Sequence, residues 1–329
     1  MYQAILIDHQ PLAGKAQLLS SFHRISTTVL NKPLFVHLIE SLKEQGINRF
    51  ILVTDETLSR EYRDGSRWGV DLEIADRLNL SHFQNEYEQS IILAANVIHE
   101  LKFAKLARFH SKSSSRISRA LPADRRQRRS DVYFDPTLVD SMLIGEYIHH
   151  HGPLTVEGLK NLIHRKPDQV AEVQGVSKVT ALNSHRDYLA VHAEHLRGTV
   201  KTDRLQGYPL KEDLWVGLDT RVDDEVESQG FTLIGQNCKI ARDVKLKGFV
   251  VIEDDVVIDR GTTLTNSVVR KGTYVGRDLS LEDALVNSKM IYNARLNSVV
   301  HVEDSFIVGA SHGRRVRRKM LQNVARSSL

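Results

Sequence analysis

The sequence predicts an α/β domain with a mostly parallel sheet, followed by a left-handed parallel β-helix. Three observations predict it. Short apolar runs alternate with helix-spaced runs as far as about residue 200. A polar connector follows, and from residue 234 aliphatic residues recur every six positions. The expected boundaries are 1–200 for the α/β domain, 201–229 for the connector, 230–310 for the β-helix and 311–329 for a basic tail.

Ala4-Ile-Leu-Ile7 predicts a short buried strand. Pro33 to Gly46 predicts a helix. Proline suits its first turn, Leu34, Phe35, Leu38, Ile39 and Leu42 repeat at helical spacing, and Gly46 is a natural stop. Arg49 to Thr54 is a continuous apolar run, as in a strand covered on both faces. Val70 to Ala75 alternates like a strand. Glu86 to Leu101 reads as a helix with Ile91, Ile92, Ala95 and Ile98 on one side. Lys112 to Ser130 is rich in serine and arginine and reads as a loop. Asp135 to His151, led by Pro136, reads as a helix, as do Leu154 to Ile163 and Tyr188 to Leu196. Gly198 to Leu214 is polar and holds Gly207 and Pro209.

The period then becomes six. Ile234, Ile240, Leu246, Ile252, Ile258 and Leu264 follow one another without a break. Four residues after each stands a small or β-branched residue: Cys238, Val244, Val250, Val256, Thr262 and Val268. Three hexads make one triangular coil, and stacked coils bury each other's aliphatic ladders. The register slips near Arg270, resumes at Val275 and Leu281, and blurs after Asn287, with Val302 and Phe306 as a candidate last coil.

A content of 41% hydrophobic and 26% charged residues is that of a globular protein. One cysteine allows no intramolecular disulfide and suits a reducing cytoplasm. Cys238 occupies an inward hexad position and reads as a small core residue. The amino terminus has neither a basic nor a long apolar region, and no apolar run approaches the roughly 20 residues of a membrane span. Net charge is +4 but uneven. Lys105, Arg108, Lys112, Arg116, Arg119, Arg125, Arg126 and Arg128 crowd one segment, and Arg314, Arg315, Arg317, Arg318, Lys319 and Arg326 the tail. Such blocks are expected to meet anions, and the tail is expected to have an anionic partner. His149, His150 and His151 are consecutive on a helix and do not face one another, so they predict no metal site. Ser113 to Ser115 lack a nucleophile constellation.

Two halves of the chain carry a family likeness. Asn31-Lys-Pro through Thr54 resembles the GKP-helix-strand unit of sugar-1-phosphate nucleotidylyltransferases, a group with a Rossmann-like catalytic domain. Ser130-Asp-Val-Tyr-Phe-Asp-Pro136 resembles the segment around their metal-binding Asp. Leu182 to Tyr188 resembles their D-x-G-T-P-x-D-Y turn, and Ser267 to Gly276 with Leu281 to Val286 the β-helix of relatives in bacterial polysaccharide clusters. The resemblance implies attack of a sugar phosphate on a nucleoside triphosphate, releasing pyrophosphate, with Mg²⁺ as the cofactor of an active enzyme. It assigns Asp131 as a metal ligand and Arg24 and Lys32 as contacts to nucleotide or sugar phosphate.

Departures from the pattern bear on turnover. The first strand leads into Asp8-His-Gln-Pro-Leu-Ala-Gly14-Lys15, a poor phosphate cradle because few backbone N–H groups can approach the ligand. The sugar-side turn falls near Glu86 to Ser90 without a glycine. Ser130 replaces the glycine before Asp131, the second metal Asp falls on Ala181, and its glycine on Asn183. The expected protein belongs to nucleotide-sugar or exopolysaccharide biosynthesis, with weak or lost catalysis and a regulatory or scaffolding role. It would bind a nucleotide or nucleotide-sugar and form homo- or hetero-oligomers through the β-helix. The alternative is an active nucleotidylyltransferase with a divergent phosphate loop. A third reading, a hexapeptide acyltransferase, needs a coil histidine, and residues 234–268 contain none.

Overall fold

The computed structural model describes residues 1–8, 25–55, 58, 62, 64–83, 86–123, 134–180, 182, 184–198 and 205–311. The chain forms two compact units. One holds Met1–Thr28 and Pro33–Asn183, the other Val29–Lys32 and Ser184–Leu329.

The first unit is built on β1 (Tyr2–Ile7), whose last five residues are all buried. Two short strands, β2 (Thr28–Val29) and β3 (Lys32–Pro33), pair around Leu30 and Asn31, both left-handed with φ of 50 and 61°. Helix α1 (Leu34–Lys43) and strand β4 (Arg49–Val53) fall where the sequence put them, as does β5 (Asp71–Ala75). Helix Glu86–Leu101 does not form. The segment makes two strands, β6 (Gln89–Ala94) and β7 (Ile98–Leu101). A short run of isoleucines that is buried throughout fits a central strand as well as a helix face, and burial on both sides decides it.

After α2 (Phe103–Lys112) the expected loop contains strand β8 (Ile117–Pro122). Its polar residues find partners far away in sequence. Ser118 Oγ lies 2.8 Å from His110 Nδ1, and Arg119 donates to Glu172 Oε1 at 2.7 Å and Asp135 Oδ2 at 2.6 Å. Strand β9 (Thr137–Asp140) takes the first residues of the expected 135–151 helix, leaving α3 (Ser141–His151). Helix α4 (Val156–Arg165) and an unforeseen eleven-residue strand, β10 (Val170–Thr180), complete the unit.

The sheet order is β5-β4-β1-β6-β9-β8-β10-β7. The pairs β5/β4, β4/β1, β1/β6 and β8/β10 are parallel, and β6/β9, β9/β8 and β10/β7 antiparallel, so the sheet is parallel-rich, as expected. Alternate strand residues face opposite sides. Ala4, Leu6, Ile91 and Leu93 pack with α1 and α2 residues such as Leu38, Ile39 and Leu106. Ile5, Ile7, Ile92 and Ala94 pack with Leu143, Ile144, Leu159 and Leu162 of α3 and α4. Helices therefore cover both faces.

The second unit opens with α5 (His185–Gly198) and β11 (Tyr208–Lys211). Three-strand circuits follow. The first is β12 (Leu214–Val216), β13 (Arg221–Val222) and β14 (Glu227–Gln229). Parallel pairing thus begins at Leu214, inside the stretch expected to be a connector up to 229. The next circuit is β15 (Thr232–Ile234), β16 (Lys239–Ile240) and the start of β17 (Lys245–Ile252). The rest of β17, β18 (Val257–Ile258) and the start of β19 (Thr263–Val269) form the third. The end of β19, β20 (Thr273–Val275) and β21 (Ser280–Glu282) form the fourth.

Each circuit stacks on the last in parallel register, Val216 beside Ile234, Ile252, Val269 and Val286. Val222, Ile240, Ile258 and Val275 form a second ladder, and Ser228, Leu246, Leu264 and Leu281 a third. The six aliphatic residues of the unbroken period, from Ile234 to Leu264, are all buried. Left-handed residues turn the corners: Asp219, Asn237, Asp255 and Gly272 at one, Asp243, Gly261 and Asp278 at another, Gly230, Gly248, Asn266 and Asp283 at the third. Glycine, asparagine and aspartate are the residues that tolerate this conformation. The period slips at Asn266, four residues before Arg270. There the single Asn266 replaces the pair Gly248-Phe249 of the circuit below.

β22 (Ala284–Asn287) is the last parallel strand, and β23 (Met290–Asn293) and β24 (Ser298–His301) continue its sheet antiparallel. β25 (Val308–Ala310) caps β20, also antiparallel. Among the described residues the stack therefore ends in antiparallel strands, not in a further coil at Val302 and Phe306.

Candidate functional site

In the first unit the chain runs from β1 to β4 and β5 on one side, then returns to β6 on the other side of β1. Connections that leave neighbouring parallel strands in opposite directions open a crevice beyond their carboxyl ends. Asp8 and Asn96 follow β1 and β6 at this edge. Asp8 N–H donates to Val53 O at 2.9 Å, and Thr54 Oγ1 donates to Asp8 Oδ2 at 3.0 Å. Ala95 N–H donates to Ile7 O at 2.8 Å, which fixes the start of the turn carrying the fully buried Asn96. His99 Nε2 lies 2.9 Å from Ala94 O, so this nitrogen carries the proton. Burial pushes the imidazole pKa down to about 4 and keeps it neutral. The edge thus offers a carboxylate held by a hydroxyl, a carboxamide and a neutral imidazole.

The residues expected to bind phosphate and metal are not assembled among the described residues. Arg24 and Asp131 lie outside them, as do the loop His9 to Lys15, Ala181 and Asn183. Lys32 is 5% exposed, on the segment that groups with the second unit. Glu86 to Ser90 do not make a sugar-side turn of the expected kind. Gln89 and Ser90 begin β6, and Ser90 Oγ sits in the core, 2.8 Å from Ser141 Oγ. Among the described residues no three His, Cys, Asp or Glu side chains gather to hold a metal, the run His149 to His151 included. Among the described residues the edge offers one carboxylate, Asp8, beside Thr54 and Asn96, and the positions that the resemblance gives the metal carboxylates, Asp131 and Ala181, lie outside them.

Sequence reasoning missed Asp8, Thr54, Asn96 and His99 as edge residues. The signal was available for three of them. Asp8 and Thr54 end apolar runs, and Asn96 ends the run Ile91 to Ala95 once that run is read as a strand.

The second unit holds a buried ionic cluster. Glu253, 3% exposed, accepts from Tyr188 Oη at 2.8 Å, Arg270 Nε at 3.2 Å and Lys271 N–H at 2.8 Å. The Arg270 guanidinium lies 5.0 Å from the Tyr188 ring centroid. Cys238 is buried, and desolvation raises its thiol pKa to about 12, so it is no nucleophile at neutral pH. One coil face carries a basin of about 540 Å³ lined by Arg221, Lys239, Arg242 and Arg260 but also by Asp223, Asp224 and Asp259. Its mixed signs give no single field for a phosphate. No helix among the described residues is long and apolar enough to cross a membrane.

No family model matches the chain. A 98-residue stretch is 33% identical to the bifunctional protein GlmU of Thermodesulfovibrio yellowstonii, covering 30% of this chain and 21% of that relative. A solved structure from Bacillus anthracis, named as a candidate glucose-1-phosphate thymidylyltransferase in complex with sucrose, superposes with a TM-score of 0.48 at 11% identity. It covers 61% of this chain and 98% of that one. The sequence match to GlmU supports the sugar-1-phosphate nucleotidylyltransferase family as the one this chain resembles.

Proposed function

We propose that the chain is a cytoplasmic protein of the sugar-1-phosphate nucleotidylyltransferase type that binds a nucleotide or nucleotide-sugar, with weak or lost turnover. On this reading the second unit is a left-handed parallel β-helix that carries assembly. The protein serves nucleotide-sugar or bacterial exopolysaccharide biosynthesis as a regulatory or scaffolding subunit. The observation that carries the binding site is the β1/β6 topological switch point, the place where open α/β sheets take their ligands, with Asp8, Thr54 and Asn96 at the strand ends. These are hydrogen-bonding groups suited to hydroxyls and amides.

Weak turnover follows from charge. Joining a sugar phosphate to a triphosphate crowds negative groups into one place, and each missing electrostatic element costs on the order of 10²- to 10³-fold in rate. The sequence after β1 is a poor amide cradle, and the second metal carboxylate of the family pattern falls on Ala181. The experiment is calorimetric titration with nucleotide-sugars, beside pyrophosphate release from a panel of sugar-1-phosphates, nucleoside triphosphates and Mg²⁺. Binding without release is expected. Turnover at or above about 1 s⁻¹ that vanishes in Asp131→Asn would instead make this an active enzyme with a different phosphate loop.

The run Arg314 to Arg326 lies outside the described residues, and for it we keep an anionic partner. Binding to anionic vesicles at low salt, lost on deleting residues 314–329 and weakening as salt rises, is the expected result. No binding at low salt would remove that partner.

A further inference from the structure

The two ends of the ten-stranded sheet are finished differently. At one end the edge strand is β11, which contains Pro209 and Lys211. Both block the addition of another strand. At the other end the edge strand is β24, Ser298-Val-Val-His301, paired among the described residues only with β23. It has no proline and no lysine, and Val299 and Val300 are 42% and 57% exposed. Leu296, Phe306 and Ile307 are exposed nearby in sequence. These five make up half of the ten large hydrophobic residues exposed among the described residues. An unblocked edge with apolar side chains on both faces is a template for a further strand.

Charge indicates which strand. Arg295 precedes β24 and Glu303-Asp304 follow it, and all three are exposed. A two-fold axis through the Val299 pair would join β24 antiparallel with itself. It would set Val299 opposite Val299 of the other copy and Ser298 opposite Val300, and bring Arg295 of each copy to Glu303 of the other, with Asp304 beside it. The edge is thus self-complementary in backbone, in apolar surface and in charge, as an isologous contact requires. We propose that β24 is a dimer interface at which a second copy of this chain adds its own β24, joining the two sheets. The proposal stands on the coil unit alone and is independent of the chemistry at the crevice.

Light scattering and sedimentation of the full chain test it. The wild type is expected to be a dimer at micromolar concentration. A Val299→Lys, Val300→Lys double variant is expected to be monomeric with an unchanged circular-dichroism spectrum. Arg295→Glu should weaken the dimer at least about tenfold, and adding Glu303→Arg and Asp304→Arg should restore it. The charge exchange leaves the apolar surface intact, so it decides the matter even if the double lysine variant folds poorly. A monomeric wild type, or an oligomer that survives both sets of changes, would overturn the proposal.

Discussion

The Tyr188 hydroxyl donates a 2.8 Å hydrogen bond to the Glu253 carboxylate, tying helix α5 to the turn after β17. The carboxylate also accepts from Arg270 and from the Lys271 amide, so one buried acid holds three donors. Replacing Glu253 with Ala leaves those donors unmatched in a site 3% exposed. One-sided loss of a buried ion pair costs about 3–5 kcal/mol, and Tyr188→Phe, which removes one hydrogen bond, about 1–3 kcal/mol. Urea unfolding followed by circular dichroism reads both. A Glu253→Ala protein as stable as the parent would show that the cluster contributes nothing.

His192 supplies a pH dependence. It is fully buried on α5, its Nδ1 lies 2.8 Å from Tyr188 O, and burial lowers its pKa to about 4 against an ordinary 6.5. Above pH 6.5 the ring is neutral folded and unfolded, so it adds no slope. Between 6.5 and 4 the unfolded chain takes up a proton that the folded chain refuses. Stability therefore falls as pH drops through that window, by roughly 3 kcal/mol, and levels off below 4. His99 in the first unit shifts the same way. Melting His192→Gln across this range should show about half the parental slope for the pair, whereas an unaltered slope would contradict the assignment.

The coil unit was legible because its period is local and repeated. Six aliphatic residues six apart fix which side chains point inward, and Ile252 is fully buried as expected. In the first unit, α1 and β4 carry end signals and clear periods within a few residues. The rest depended on distant partners. β8 reads as a polar loop until Glu172 and Asp135 are known to hold Arg119. β6 reads as a helix face until α1, α2, α3 and α4 are known to cover both its sides. That error hid Asn96, which marks the switch point only when the run before it is read as a central strand.

The inward ladder has a direct test. Ile252→Asp puts an unpaired charge among Ile234, Val269 and other apolar side chains and should cost several kcal/mol. Lys239→Ala, on an exposed position of β16, should stay within about 0.5 kcal/mol. Thermal unfolding of the two variants compares them. Equal melting would mean that the buried and exposed positions have been exchanged.

Two corner glycines should respond unequally to asparagine. Gly272 has φ of 71° and no atom within 4 Å of where a Cβ would stand. It occupies the corner held in the circuits below by Asp219, Asn237 and Asp255, so asparagine fits its conformation. Gly272→Asn should change stability by less than about 1 kcal/mol. Gly230 has φ of 108°, far from the 54 to 60° of Asp219, Asn237 and Asp255, and a Cβ there would overlap the Gly248 carbonyl oxygen of the next circuit. That oxygen is backbone of the stacked corner and cannot swing away as a side chain would. Gly230→Asn should therefore cost on the order of 3 kcal/mol, combining backbone strain with overpacking. Denaturant midpoints measured side by side give the comparison. If both variants match the parent, the corners are not stacked with the spacing that the Gly230–Gly248 approach requires.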